Sequence, residues 1–222
     1  TIRTPLSHHG YIEPCACTVH VHADGRVEVW AANKGPWGLR DQMAEEFGIA
    51  KEKIKVHIIH VGGDFGAKAS LIDVPVAYHL SKATGRPVKL AFGATETFKT
   101  ICQPRAKMTL RTGVKRDGAF VARKCEVFLD GGAYANSGPS VTEKAGYRAH
   151  GPYRIPHVLT NAYSVYTNTV PAGAFRGFGG PQVAFAYETQ LDMIAQRMGI
   201  DPLDLRMKNL LERGESFSDG DT

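Results

Sequence analysis

The 222-residue chain contains only four cysteines, Cys15, Cys17, Cys102 and Cys125, and no two of them form a C-x-x-C pair. Iron–sulfur centres and structural zinc sites ordinarily draw on such pairs. Cys15 and Cys17 are also too close in sequence for an ordinary disulfide. The chain therefore reads as a reduced, cytoplasmic type of protein without a cluster of its own. Long apolar runs are missing too: the longest is a few residues, far short of the ~20 that a membrane span requires. Basic residues do not cluster. The 27 Lys and Arg against 22 Asp and Glu give a net charge of +5, spread along the chain. No basic segment is interleaved with stacking aromatics, which argues against a nucleic-acid partner. The N-terminal stretch from Thr1 has no start methionine and no signal or targeting pattern, an absence that carries information only for a complete chain.

What is present is an ordinary globular composition, 43% hydrophobic and 22% charged, with 24 glycines. Alternating residues on either side of Asp24-Gly25 predict a hairpin over 15–30, and a second hairpin is predicted around Asp117-Gly118, from Met108 to Leu129. Helical spacing predicts helices over 39–47, 69–84, 183–198 and 202–211, the first three closed by Gly48, Gly85 and Gly199. Further strands are predicted at 54–61, 87–90 and 161–167, and 131–156 reads as loop-rich; the polar tail from Glu215 reads as frayed. The mixture lacks a strict βαβ repeat. It predicts an α+β fold of mixed, largely antiparallel sheets with packed helices, in two sub-units of about 15–105 and 106–214.

Two glycine-rich loops carry the chemistry. Val61-Gly-Gly-Asp-Phe-Gly-Ala-Lys68 and Ala174-Phe-Arg-Gly-Phe-Gly-Gly-Pro-Gln182 each fall between a predicted strand and a predicted helix. Free N–H groups at a helix start favour an anion there. The first loop is neither a Walker A loop nor G-x-G-x-x-G. In the second, Arg176 offers a cation to an anionic group and Phe178, which reads as exposed, offers a flat face to a planar ring. His20 with His22, and His57 with His60, lack further ligands at zinc spacing, so they read as packed or solvated side chains.

At these loops the sequence resembles the molybdenum-binding large subunit of the xanthine dehydrogenase/aldehyde oxidase family of molybdenum hydroxylases. The family patterns G-G-x-F-G-x-K and F-R-G-F-G-G-P-Q are met at 62–68 and 175–182. Leu39-Arg-Asp-Gln42, Gly85-Arg-Pro-Val-Lys89, Gly131-Gly-Ala-Tyr134, Tyr166-Thr-Asn168 and the ending from Asp201-Pro202 to Asn209-Leu-Leu211 follow in the family's order. The resemblance implies that the chain is the first molybdopterin-binding domain of such a subunit. It implies cofactor contacts from Lys34, Gly62, Gly63, Asp64, Phe65, Gly66, Ala67, Arg176 and Gly177, and a substrate pocket formed with Ala69, Lys144 and Phe178. The cofactor implied is molybdopterin with molybdenum, the cytosine dinucleotide form included. The protein would supply no direct metal ligand.

The implied reaction is oxidative hydroxylation of an aldehyde or N-heteroaromatic small molecule, with water as oxygen source. Electrons would leave through 2Fe–2S clusters to FAD on partner subunits or domains. No catalytic residue is implied within the chain, because the general-base glutamate belongs to a second half of the molybdenum subunit. Departures from the family pattern narrow the reading. Lys34 stands where xanthine dehydrogenases have a glutamine, and Ala69 stands where they have a purine-binding glutamate. Lys144 replaces an arginine, and Gly177 stands where carbon monoxide dehydrogenases carry a copper-binding cysteine. These departures argue against xanthine and carbon monoxide as substrates. The alternative reading is a non-catalytic structural or assembly domain that keeps the fold.

Overall fold

In a computed structural model that describes residues 1–215, the chain forms two compact units. One joins Thr1–Ser7, with strand β1 (Ile2–Thr4), to the chain from Gln103 onward; the other is His8–Cys102. The tail beyond Glu215, read above as frayed, lies outside the described residues.

In His8–Cys102, β2 (Ala16–Val21) and β3 (Val27–Ala31) form the expected hairpin. With β4 (Ile54–His57) and β5 (Val88–Ala91) they make a sheet of order β4-β3-β2-β5, in which only β3–β4 is parallel. Helix α1 (Pro36–Phe47) starts three residues before the predicted Leu39, because Pro36 suits a first turn that needs no amide donor. It stops at Gly48, whose φ of 63° gives the left-handed cap. Helix α2 (Val74–Thr84) starts five residues later than predicted. Pro75 is the reason: inside a helix begun at Ala69 its ring would remove a hydrogen bond and clash with the preceding turn. Val19, Val29, Leu39, Met43 and Ala77 form the core, with Tyr78 stacked on Phe47 at 4.1 Å. Each of the valine, leucine and methionine side chains contributes about 1.5–3 kcal/mol of burial. Ser81 is fully buried yet satisfied: it accepts from the Val21 amide at 2.9 Å and donates to the Arg86 carbonyl at 2.7 Å. A short helix α3 (Ala94–Thr97) follows β5.

In the other unit, β6 (Ala106–Val114) and β7 (Phe120–Gly132) form the second expected hairpin, and the sheet order is β1-β6-β7-β8. Strand β8 (His157–Tyr166) runs parallel to β7. A parallel return needs a crossover, and the region read as loop supplies it as helix α4 (Gly138–Tyr147). Its glycine- and proline-rich sequence hides the helix. Pro139 sits in its first turn, and Gly146 is needed because a Cβ there would come within 3.0 Å of Ala162. Helix α5 (Gly180–Met198) has Pro181 in the first turn and Gly199 as its cap. Helix α6 (Pro202–Asn209) is capped by Asp201, whose carboxylate accepts from the amides of Leu203 and Asp204. Buried Asn209 ties it to the second hairpin, accepting from the Phe120 amide at 2.8 Å and donating to the Gly118 carbonyl at 3.0 Å.

Candidate functional site

The first loop leaves β4 well before α2 begins, so the expected helix start does not stand behind it; what distinguishes it is its own backbone. Phe65 has φ 50° and Gly66 φ 119°. A phenylalanine in the left-handed region is strained by about 1–3 kcal/mol and persists only where its surroundings hold it.

Asp64 does the holding. Its carboxylate accepts from the Gly66 amide at 2.9 Å, from the Lys68 amide, and from Lys34 Nζ at 2.7 Å. Burial pushes this carboxyl up, but those three donors outweigh it and hold it below the usual range. Lys34 thus stands at the loop with its ammonium engaged by Asp64. Its own amide donates to the Lys68 carbonyl at 2.9 Å. Ala67 is fully buried and its amide is taken by the Asp64 carbonyl, so it packs beneath the loop. Ala69 lies at the loop's exit, its carbonyl accepting from Gln42 at 3.2 Å. Among the described residues the exposed amides of Gly63 and Phe65 meet no protein acceptor.

Sequence reasoning missed the second latch of this loop. Lys68 has no exposed side-chain surface; its ammonium meets Glu13 Oε2 at 2.5 Å and lies 4.9 Å from the centre of the Tyr11 ring. The same Glu13 oxygen accepts from the Gly62 amide at 2.7 Å. A Cβ on Gly62 would stand 2.7 Å from Glu13 Cβ, so the glycine is required for this approach. The Lys68 hydrogen bond, with help from Gly62, holds the Glu13 carboxyl below its ordinary value against the effect of burial. Nothing in the spacing of Glu13 and Lys68 announces the pair.

The second loop does run into a helix start, at α5. Here too a phenylalanine is left-handed: Phe178 has φ 51°, between Gly177 at 90° and Gly179 at 84°. The Phe178 amide donates to the Phe175 carbonyl at 2.7 Å, and that of Gly180 to the Gly177 carbonyl at 3.0 Å. Gly179 lies against α4, where a Cβ would meet the Val141 carbonyl at 2.6 Å. Arg148, unremarked in the sequence, donates to the Gly177 carbonyl at 2.8 Å. Phe178 is half-buried against the cluster of Val141, Ala145 and Val183 rather than exposed, because the turn folds its ring back onto α4 and α5. Arg176 is exposed, and among the described residues its guanidinium meets no carboxylate. Lys144, also exposed, sits on α4 with its ammonium 3.9 Å from Glu143 and 5.7 Å from the Tyr147 ring centre.

The Gly131-Gly132 motif is steric: a Cβ on Gly132 would lie 2.1 Å from the Val170 carbonyl. Asp130 beside it accepts from Thr167 and from Arg105, the latter at 2.6 Å. The four cysteines are free and buried, and burial pushes the Cys125 thiol up to about 11. Among the described residues no three His, Cys, Asp or Glu side chains gather to hold a metal ion, and no helix is long and apolar enough to cross a membrane.

Two glycine loops, each carrying a left-handed phenylalanine, thus form the candidate site. The sequence from 1 to 210 matches the molybdopterin cofactor-binding domain, and the chain belongs to that family. It is 39% identical to a probable xanthine dehydrogenase subunit of Bacillus subtilis, over 95% of this chain and 28% of that protein. It is 35% identical to the nicotinate dehydrogenase large molybdopterin subunit of Eubacterium barkeri, over 96% and 50% respectively. Among solved structures it superposes on the aldehyde oxidoreductase from Desulfovibrio gigas with a TM-score of 0.91 at 28% identity, covering 98% of this chain and 24% of that one. The chain therefore spans between about a quarter and a half of the length of these relatives.

Proposed function

We propose that the chain is the first molybdopterin-binding part of the large subunit of a molybdenum hydroxylase. The complete enzyme would hydroxylate an aldehyde or N-heteroaromatic small molecule with oxygen from water. The observation that carries this reading is the shared build of the two loops: each holds a phenylalanine at φ near +50° beside glycines, and in the first the Gly63 and Phe65 amides meet no protein acceptor among the described residues.

A molybdopterin is anionic through its phosphate, and the donor set fits it. The free amides of Gly63 and Phe65, with the backbone of Gly62, Asp64 and Gly66 around them, would hold the cofactor from one loop, and Arg176 and Gly177 from the other, with Ala67 packing below. Amides and a guanidinium stabilise such an anion more strongly as water is excluded. Lys34 acts by holding Asp64, and with it the strained turn. That task gives the residue a place in a working loop, so its departure from glutamine does not favour the non-catalytic alternative. When bound, the cofactor supplies a Lewis-acidic molybdenum that accepts two electrons.

Ala69, Lys144 and Phe178 belong in this reading to the substrate pocket. With alanine at 69 no carboxylate faces the substrate from that position, which favours a small aromatic or aldehyde group over a purine. The second half of the molybdenum subunit supplies the general-base glutamate, and 2Fe–2S and FAD partners carry the electrons away. The cofactor is read as either the mononucleotide or the cytosine dinucleotide form. The free, buried cysteines support a reducing compartment, and we place the enzyme in the cytoplasm.

Elemental analysis and pterin fluorescence of the natively assembled protein test the reading. Molybdenum and pterin are expected together, and both should fall on Arg176→Ala. A native assembly containing neither overturns it.

A further inference from the structure

Ile54-Lys-Val-His-Ile-Ile-His-Val61 is one continuous β-type run, yet only its first half is laddered. β4 is an edge strand, and β3 ends at Ala31, so His57 opposite Trp30 is the last pair. Beyond it Ile58 is 74% exposed and Ile59 41%. Among the described residues no backbone N–H or C=O of 58–61 meets a protein partner. A cleft of about 230 Å³ adjoins this stretch; Trp37, Ile54, Val56 and Ile58 give it an apolar wall, with Arg40 and Lys55 also lining it, and Trp37 is 64% exposed.

Branched residues with a bare backbone on a sheet edge, next to a cleft with an apolar wall, are a template for an added strand. Isolated exposed isoleucines need no explanation; a strand-forming run that stops pairing where its neighbour ends does. The first two relatives named above are about two to four times as long as this chain, which spans 28% and 50% of them. The polypeptide available to cover the edge is therefore large. The run also leads straight into Gly62, the first residue of the cofactor loop.

We propose that 58–61 is completed by an extended strand from another part of the same large-subunit polypeptide. That strand pairs with the bare backbone and seats an apolar side chain in the cleft beside Trp37 and Ile58. Pairing fixes the chain at the entrance to the first loop, so loop geometry and subunit completion are coupled. The inference rests on the chain being part of a longer molybdenum subunit.

Hydrogen exchange in the natively assembled, full-length protein tests it. The amides of 58–61 are expected to exchange at least about a hundredfold more slowly than in an unstructured peptide, as a laddered strand does. Exchange at the unstructured rate, while β4 stays protected, overturns the proposal. Ile58→Cys labelled with a benzophenone identifies the occupant, since the four native thiols are buried. Photocrosslinking to a distant peptide of the same polypeptide supports the proposal. Crosslinks to a second copy, to a different subunit or to nothing overturn it. Molybdenum content of the same sample separates the two readings. A metal-free native assembly defeats the cofactor assignment, whereas a molybdenum-loaded one with fast exchange at 58–61 defeats only the strand pairing.

Discussion

The two glycine loops reach nearly the same local backbone, φ 50° at Phe65 and 51° at Phe178, by opposite means. In the first, charges do the holding: Asp64 gathers Lys34 and two amides, and Glu13 meets the buried Lys68. In the second, shape does it. Gly177 lies where a Cβ would come within 2.5 Å of Pro181, Gly179 lies against the Val141 carbonyl, and one hydrogen bond from Arg148 closes the turn. One strain held by electrostatics and again by packing should answer differently to mutation, acid and salt.

The largest effect is expected where shape rules. Gly179→Ala combines a φ of 84° with a Cβ 2.6 Å from a backbone oxygen, and nothing flexible can yield. It should lower stability by upward of about 3 kcal/mol. An unchanged denaturant midpoint in the assembled protein would refute the packing account of this loop.

Next comes the buried charge. Glu13→Gln leaves the Lys68 ammonium, with no exposed side-chain surface, facing a neutral amide. A loss of about 2–3 kcal/mol is expected, moderated because Glu13 itself is partly exposed. Adding Lys68→Met should recover part of it, since the orphaned charge then disappears. A double variant as unstable as the simple sum would show that the ion pair is not the latch.

Acid should separate the loops without any mutation. The Glu13 and Asp64 carboxyls are held below their ordinary values in the folded chain, so the unfolded chain takes up protons first. Their stabilisation is complete at neutral pH and is lost as pH falls below about 4, through the folded values. Amides of 66–68 should lose protection in that window while those of 178–180, whose latch contains no carboxylate, keep theirs. Equal loss in both loops would erase the distinction. The smallest effect belongs to Lys34→Ala. Its side chain is 46% exposed, so its bridge to Asp64 contributes under about 1 kcal/mol. The difference from the unmodified protein should vanish in 1 M salt, where screening is nearly complete.

What was legible in the sequence follows the same division. Turn chemistry shows plainly in a string of residues, so both hairpins, both glycine loops and the caps at Gly48, Gly85 and Gly199 could be read. Periodicity worked where side chains alternate or repeat over a long stretch, as in α5. It failed at α4, whose glycine and proline suggest a loop while its small residues allow close packing on β8. It overran at α2, where Pro75 outweighed spacing. Strand β4 was read to Val61 because residue type predicts a strand, whereas pairing also needs a neighbour. Of the site, the loop residues were visible as motifs. Their latches were not, because Glu13 with Lys68, and Arg148 with Gly177, meet through tertiary approach and leave no local signature.

The joining of β1 to β6, with Ser7 and Gln103 bridged by backbone hydrogen bonds, has a kinetic meaning. Strand β1 is made before His8–Cys102 and finds its partner only after the whole of that segment has been synthesised. The inserted unit has its own core and its own four-stranded sheet, so it can condense while β1 is still waiting. Closing so long a span costs entropy, but that cost grows only logarithmically and shrinks once the insertion is folded with its ends defined. Order of synthesis then becomes order of folding: the charge-latched loop is assembled first, and the unit holding the shape-latched loop is sealed afterwards by a strand that was made before either.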